Sequence, residues 1–159
     1  MTRLLTLLLS VLALLGAGPA LAGAMLIVAN PSLGPDASKE FSRADLKEMT
    51  QTSYRTSTEW TDGAPEFSGP LARDVIASVG VGDATTAVMI AANDYAIEVP
   101  IDELLKYDVI LATSVDGKRL SLRDKGPIWV MYPRDQHKEL QDPMFNGRLI
   151  WQMVRIELK

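Results

Sequence analysis

The chain has 159 residues, 47% of them hydrophobic and 23% charged, with a net charge of −4, no cysteine and one histidine, His137. The composition is that of an ordinary globular domain, and its acidic balance argues against non-specific nucleic-acid binding, which depends on neutralising phosphates. Without cysteine there is no disulfide, thiol nucleophile or thiolate metal ligand, and one histidine does not make a histidine-rich zinc site.

Arg3, an apolar run from Leu4 to Leu15 and small residues ending in Ala20-Leu21-Ala22 follow the order of a secretory signal peptide. The run is shorter than the roughly 20 residues that span a bilayer, so cleavage after residue 22 is expected over an uncleaved N-terminal anchor. A single domain over 23–159 is then expected, with 15 basic against 20 acidic residues and a net charge of −5 once Arg3 is removed.

Met25 to Asn30 reads as a short strand. Ala29 to Glu40, broken by Pro31, Gly34 and Pro35, reads as the most flexible stretch. Ser42 and Asp45 mark a helix start for Arg43 to Met49. Thr52 to Trp60 alternates Tyr54, Thr56, Thr58 and Trp60 against polar residues, which predicts a period-two strand. Pro70 near the start, Gly80 at the end and Leu71, Val75, Ile76 and Val79 between them predict a helix.

Thr85 to Asn93 and Tyr95 to Val99 read as two strands joined by an Asn93-Asp94 turn, and Pro100 opens a short helix. Asp116-Gly117 between two extended runs predicts a hairpin, because both turn residues need positive φ. Gly126 to Pro133 and Leu149 to Lys159 supply the last strands. Strands and short helices mix without regular βαβ repeats, which makes the fold class α+β.

Little in the chain looks like catalytic machinery. Asp102 and Glu103 sit where acids favour a helix start. "GVGDA" lacks the strand-to-helix context of a dinucleotide loop. His137 lies in the polar stretch from Tyr132 to Pro143, which reads as a surface loop. Four clusters put polar or aromatic groups at strand ends or turns, where a sheet presents side chains to a ligand. They are Tyr54/Arg55 with Trp60, Asn93 to Tyr95, Arg123 to Pro127, and Gly147 to Trp151.

"NDYAIEVP", "DVILAT…DGKRLS", "DKGPIWVMYP" and the terminal "W…RIEL", in this order and spacing, resemble the sulfite-oxidase-type molybdopterin-binding fold, from about Thr52 to Leu158. In the catalytic members of that family a cysteine thiolate binds molybdenum, and this chain has none. The family's histidine beside the glycine is replaced by Lys125, and Arg148 and Trp151 loosely match a lysine-tryptophan pair at the cofactor's phosphate end.

The chain is thereby also similar to small exported proteins of this fold that bind a pterin without molybdenum. The resemblance implies a non-catalytic periplasmic protein, with no metal expected, that reports pterin status to a membrane-bound diguanylate cyclase/phosphodiesterase. It implies a site built from Arg55, Trp60, Asn93, Tyr95, Asp124, Lys125, Gly126 and Arg148. Trp60 or Tyr95 would stack on the ring, Asp124 or Asn93 would accept from its N–H edge, and Arg55, Lys125 or Arg148 would donate. The glycine of Gly126-Pro127 would let backbone approach the ring. Two competing expectations are a molybdopterin-dependent oxidoreductase or its subunit, and a ligand-free interaction module.

Overall fold

A computed structural model describes residues 23–159, and the signal-peptide expectation over 1–22 lies outside them. Eleven strands and three short α-helices are found among the described residues. The largest sheet joins β1 (Leu26–Ala29), β2 (Ser38–Phe41), β5 (Thr86–Ala91), β6 (Ala96–Pro100) and β11 (Met153–Leu158) in the order β2-β1-β11-β5-β6. Its β1–β11 pair is parallel and the others are antiparallel. A second sheet orders β3 (Gln51–Arg55), β4 (Glu66–Pro70), β8 (Ser114–Val115) and β9 (Lys118–Arg119) as β3-β4-β8-β9. β7 (Ile110–Ala112) pairs with β10 (Trp129–Met131). The fold is α+β, as expected.

One hydrophobic core joins these sheets. Leu26, Val28, Met89 and Ile156 bury from the large sheet, Phe67 from β4, and Leu111 and Val130 from the β7–β10 pair. Burying such side chains is the main favourable contribution to folding. Helix α1 (Arg43–Glu48) begins with a capping box: Asp45 N donates to Ser42 Oγ (3.3 Å) and Ser42 N donates to Asp45 Oδ2 (2.7 Å). α2 (Ala72–Ala77) buries Ala72, Val75 and Ile76, and α3 (Ile101–Lys106) buries Ile101 and Leu104. Asp116 and Gly117 adopt φ of 46° and 72° and close the expected hairpin.

Three stretches differ from the sequence expectation. The region read as flexible holds a 3₁₀ turn (Pro31–Leu33) and the edge strand β2, whose Ser38, Lys39 and Glu40 are exposed while Phe41 is buried. A charged edge strand carries little apolar signal. The strand expected to run to Trp60 stops at Arg55. Beyond it Thr58 N donates to Thr61 Oγ1 (2.9 Å) and Trp60 N to Thr58 Oγ1 (3.1 Å), so hydroxyls take over the backbone partners a strand would need. Tyr132 to Pro143 is not simply a surface loop. Arg134 is 6% exposed, and its Nε donates to Leu140 O (2.9 Å). His137 packs edge-on against Tyr107, with ring centroids 5.0 Å apart.

Asn30, fully buried at the end of β1, ties the two halves of the molecule. Its Nδ2 donates to Gly80 O (2.8 Å) and Val81 O (2.9 Å), and its Oδ1 accepts from Ser32 Oγ (2.6 Å). Asn30→Ala leaves two carbonyls and a hydroxyl without these partners. A loss of about 2 kcal/mol is expected, read as a lower urea midpoint at unchanged slope.

Candidate functional site

A cleft of about 250 Å³ opens at one end of the large sheet. It is lined by Trp60, Ala91, Asn93, Tyr95, Asn146, Gly147, Leu149, Ile150 and Trp151. Trp60 comes from the hydroxyl-fastened turn after β3, Asn93 and Tyr95 from the β5–β6 turn, and Asn146 to Trp151 from the approach to β11. Ser57 holds the first turn in place, donating from N (2.9 Å) and Oγ (2.7 Å) to the Asp135 carboxylate. The second turn is closed by Asp94 at φ 65° and by Tyr95 N donating to Asn93 Oδ1 (3.2 Å).

Aromatic rings dominate the lining. Trp60 and Trp151 meet edge to face, with centroids 5.3 Å apart and planes at 74°. Tyr95 is 47% exposed, and its hydroxyl donates to Gly147 O (3.3 Å). Among the polar groups, the side-chain oxygen of Asn146 is buried and has no hydrogen-bond partner. An unmet buried acceptor costs about 1–3 kcal/mol, and this one has no open surface toward the cleft.

The structure therefore brings Trp60, Asn93 and Tyr95 together with the Gly147 to Trp151 cluster, and leaves Arg55, Asp124, Lys125, Gly126 and Arg148 outside the lining. Arg55 lies on the exposed face of β3, opposite the buried Tyr54. Asp124 Oδ2 accepts from Ser121 Oγ (2.6 Å) within its own turn. Lys125, at φ 66°, holds its Nζ 5.2 Å above the Trp129 ring. Gly126 is required by the close packing of Leu120, six residues earlier: a Cβ there would lie 2.7 Å from Leu120 C. The turn braces the cleft from behind, because Gln152 donates from N to Lys125 O (3.0 Å) and from Nε2 to Leu122 O (3.0 Å), directly after Trp151.

Arg148 is likewise committed elsewhere. Its guanidinium pairs with Glu103, both side chains nearly buried, and stacks 4.8 Å from the Phe145 ring centre. Burial lowers its pKa. Glu103 Oε1 also accepts from the Tyr132 hydroxyl (2.6 Å), whose pKa burial raises, so the phenol stays a donor. Glu103 is thus more than a helix-start acid. Asn146 and Ala91 were missed by sequence reasoning, and Leu149 and Ile150 entered only as members of the Gly147 to Trp151 cluster. An asparagine among turn residues reads as turn chemistry, and no local pattern announces that it lines a cleft.

Residues 37–135 match the family described as oxidoreductase molybdopterin binding domain. The chain belongs to this family. Among solved structures it resembles the sulfane dehydrogenase SoxCD from Paracoccus pantotrophus, with a TM-score of 0.63 and 15% identity over 84% of this chain. The chain spans 37% of that protein's length, and at this identity the likeness establishes the sulfite-oxidase-type fold alone. No curated protein matches.

Membership of this oxidoreductase family corrects two expectations drawn from the missing cysteine. A non-enzymatic role does not stand, and neither does a ligand expected to carry no metal. The missing thiolate concerns one ligand of a metal, whereas the rest of the fold is that of the oxidoreductase domain.

The residues present fit the organic part of molybdopterin. Three aromatic rings, with the exposed amide of Asn93 at the rim, suit a flat, polar bicycle. The cleft, at about 250 Å³, lies just below the ~300–1,000 Å³ of drug-sized sites, a size that would suit a ring system. For the metal, the chain offers no thiolate, and no cluster of three or more histidine, aspartate or glutamate side chains with ligating spacing occurs among the described residues. Soft ligation of molybdenum would come from the cofactor's own sulfur atoms.

Proposed function

We propose that this chain is the cofactor-binding domain or subunit of a molybdopterin-dependent oxidoreductase, with the pterin ring held in the cleft of Trp60, Tyr95 and Trp151. The observation that carries this reading is the aromatic cleft in a chain of the molybdopterin-binding family. When bound, the cofactor would supply a metal centre able to exchange electrons with a substrate. The chain's own residues do the rest. Trp60, Trp151 and Tyr95 cover the ring and exclude water from its faces. The Tyr95–Gly147 hydrogen bond and the Ser57–Asp135 latch keep two of those walls in place.

Protein purified from a cofactor-producing host is expected to carry about one pterin per chain by oxidation and fluorescence, with molybdenum detected by elemental analysis. Trp60→Ala is expected to weaken retention roughly five- to 150-fold, since stacking on an aromatic ring contributes roughly 1–3 kcal/mol. Wild-type protein without pterin, and without a rise in melting temperature when pterin is added, would defeat the reading. Saturation at ~100 times the Kd should add about 2.7 kcal/mol of stability.

Action in the periplasm belongs to the same proposal and is supported by the N-terminal segment. The regulatory side, an encounter with a membrane-bound sensor that controls cyclic-di-GMP, rests on the family resemblance alone. Co-purification of the exported chain with such a membrane protein tests it.

A further inference from the structure

We infer that the open sheet edge at Lys118 and Arg119, with Arg43 and Leu122 beside it, is a docking face for an extended acidic segment of a partner protein. The inference is independent of the cleft and its ligand. Strand β9 is the outermost strand of its sheet, with Lys118 opposite Val115 and Arg119 opposite Ser114. Leu120 N donates inward to Thr113 O (2.9 Å), so the backbone N–H and C=O of Arg119, one residue earlier, point to the open side. An edge of this kind accepts an added strand.

The side chains at this edge are cations without counter-ions. Lys118, Arg119 and Arg123 are exposed and Arg43 is partly buried, and none of the four takes part in an ion pair among the described residues. Arg43 lies near enough to Arg119 that the second guanidinium adds to burial in lowering its pKa. The nearby acids are engaged within the chain: Asp116 Oδ1 accepts from Glu66 N (2.9 Å) and Asp124 Oδ2 from Ser121 Oγ (2.6 Å). Like charges left side by side are a cost that a carboxylate ligand relieves.

Leu122 supplies an apolar anchor. At 65% exposure it is the most exposed large hydrophobic side chain among the described residues, and Arg119 and Arg123 flank it in the chain. An apolar anchor with a charged rim is the arrangement of a protein interface. The cations also select the partner. Lys118 and Arg119 disfavour pairing with the same edge of a second copy and favour an acidic strand. An anionic bilayer offers no backbone ladder to the Arg119 edge, and it repels a chain whose acids outnumber its bases.

Fluorescence anisotropy with a labelled peptide of alternating glutamate and valine tests this on the full exported chain. The peptide is expected to bind more weakly as salt rises, and the same peptide with a central proline, which cannot complete the ladder, is expected to bind about tenfold more weakly. Arg119→Glu is expected to weaken binding at least about tenfold, and Leu122→Ser about fivefold. Arg55→Glu makes the same charge change on β3, at the opposite edge of the sheet, and is expected to leave binding within about twofold. Absence of binding to wild-type protein, equal binding of the two peptides, or equal losses in Arg119→Glu and Arg55→Glu overturns the inference. So does wild-type protein that binds phosphatidylglycerol vesicles and ignores the peptide. Thermal melting checks that the variants fold, and Arg119→Ala replaces Arg119→Glu if the latter does not.

Discussion

Gly69→Ala is expected to destabilise the protein by at least about 3 kcal/mol, at the upper end of overpacking effects. Gly69 lies on β4 where that strand crosses β7. A Cβ there would overlap the Leu111 carbonyl oxygen, lying 2.7 Å from Leu111 C and 2.9 Å from Ala112 Cα. All three atoms belong to backbone, and Leu111 is paired in register with Val130 of β10. A clash with the tip of a side chain relaxes by a rotamer change, but here a paired strand must move. Close packing spreads such a shift to Phe67 and Trp129, whose rings meet edge to face at 5.3 Å. The expected readout is loss of soluble protein, or a melting temperature lower by ten degrees or more, on the order of the per-kcal shift for a domain this size. Gly23→Ala, with nothing within 4 Å of its Cβ, is the matched control and is expected to be neutral. Equal melting temperatures for the two variants would show that β4 and β7 do not approach this closely.

Glu103→Ala is expected to cost about 3 kcal/mol, the low end for removing one partner of a buried pair, because the side chains keep 12% and 14% exposure. Two groups lose their acceptor at once, the Arg148 guanidinium and the Tyr132 hydroxyl. The penalty comes mostly from the charge left behind, so the double variant Glu103→Met, Arg148→Met should recover much of the lost stability. Chemical denaturation of the single variants Glu103→Met and Arg148→Met and of the double variant measures this coupling. A double variant as unstable as the sum of the singles would mean that the pair is not a unit. Cofactor retention is a second readout. Arg148 follows Gly147, whose carbonyl anchors Tyr95, so loosening Arg148 should also weaken the cleft wall.

Much of the fold was legible in local sequence because local chemistry caused it. Ser42 and Asp45 make the capping box their spacing announces. Asp116-Gly117 makes the hairpin because positive φ is cheap for those residues. Strand β4 was not legible: Pro70 read as a helix start, yet it ends a strand whose Gly69 lets β7 lie against it. β2 was hidden by its charged, exposed residues.

The site was legible by residue type more than by position. Trp60, Asn93 and Tyr95 stood out as ring and amide groups at strand ends, and the fold gathers them in one cleft. Asp124, Lys125 and Gly126 stood out equally, but they brace Gln152 and pack on Leu120 and Trp129. Arg148 was chosen as a free cation, and Glu103, 45 positions earlier, holds it.

By itself the sequence determined the α+β class, the capping box of α1 and the tight turns, the family resemblance and the absence of a thiolate, because each depends on residue identity or on neighbours a few positions apart. The tertiary structure alone decided which turn faces the cleft and which stands behind it, which cation is already paired, and that Asn146 is left with an unmet oxygen. Those outcomes depend on groups brought together across tens of residues, and a hydrogen-bond partner at that separation leaves no trace in the local pattern.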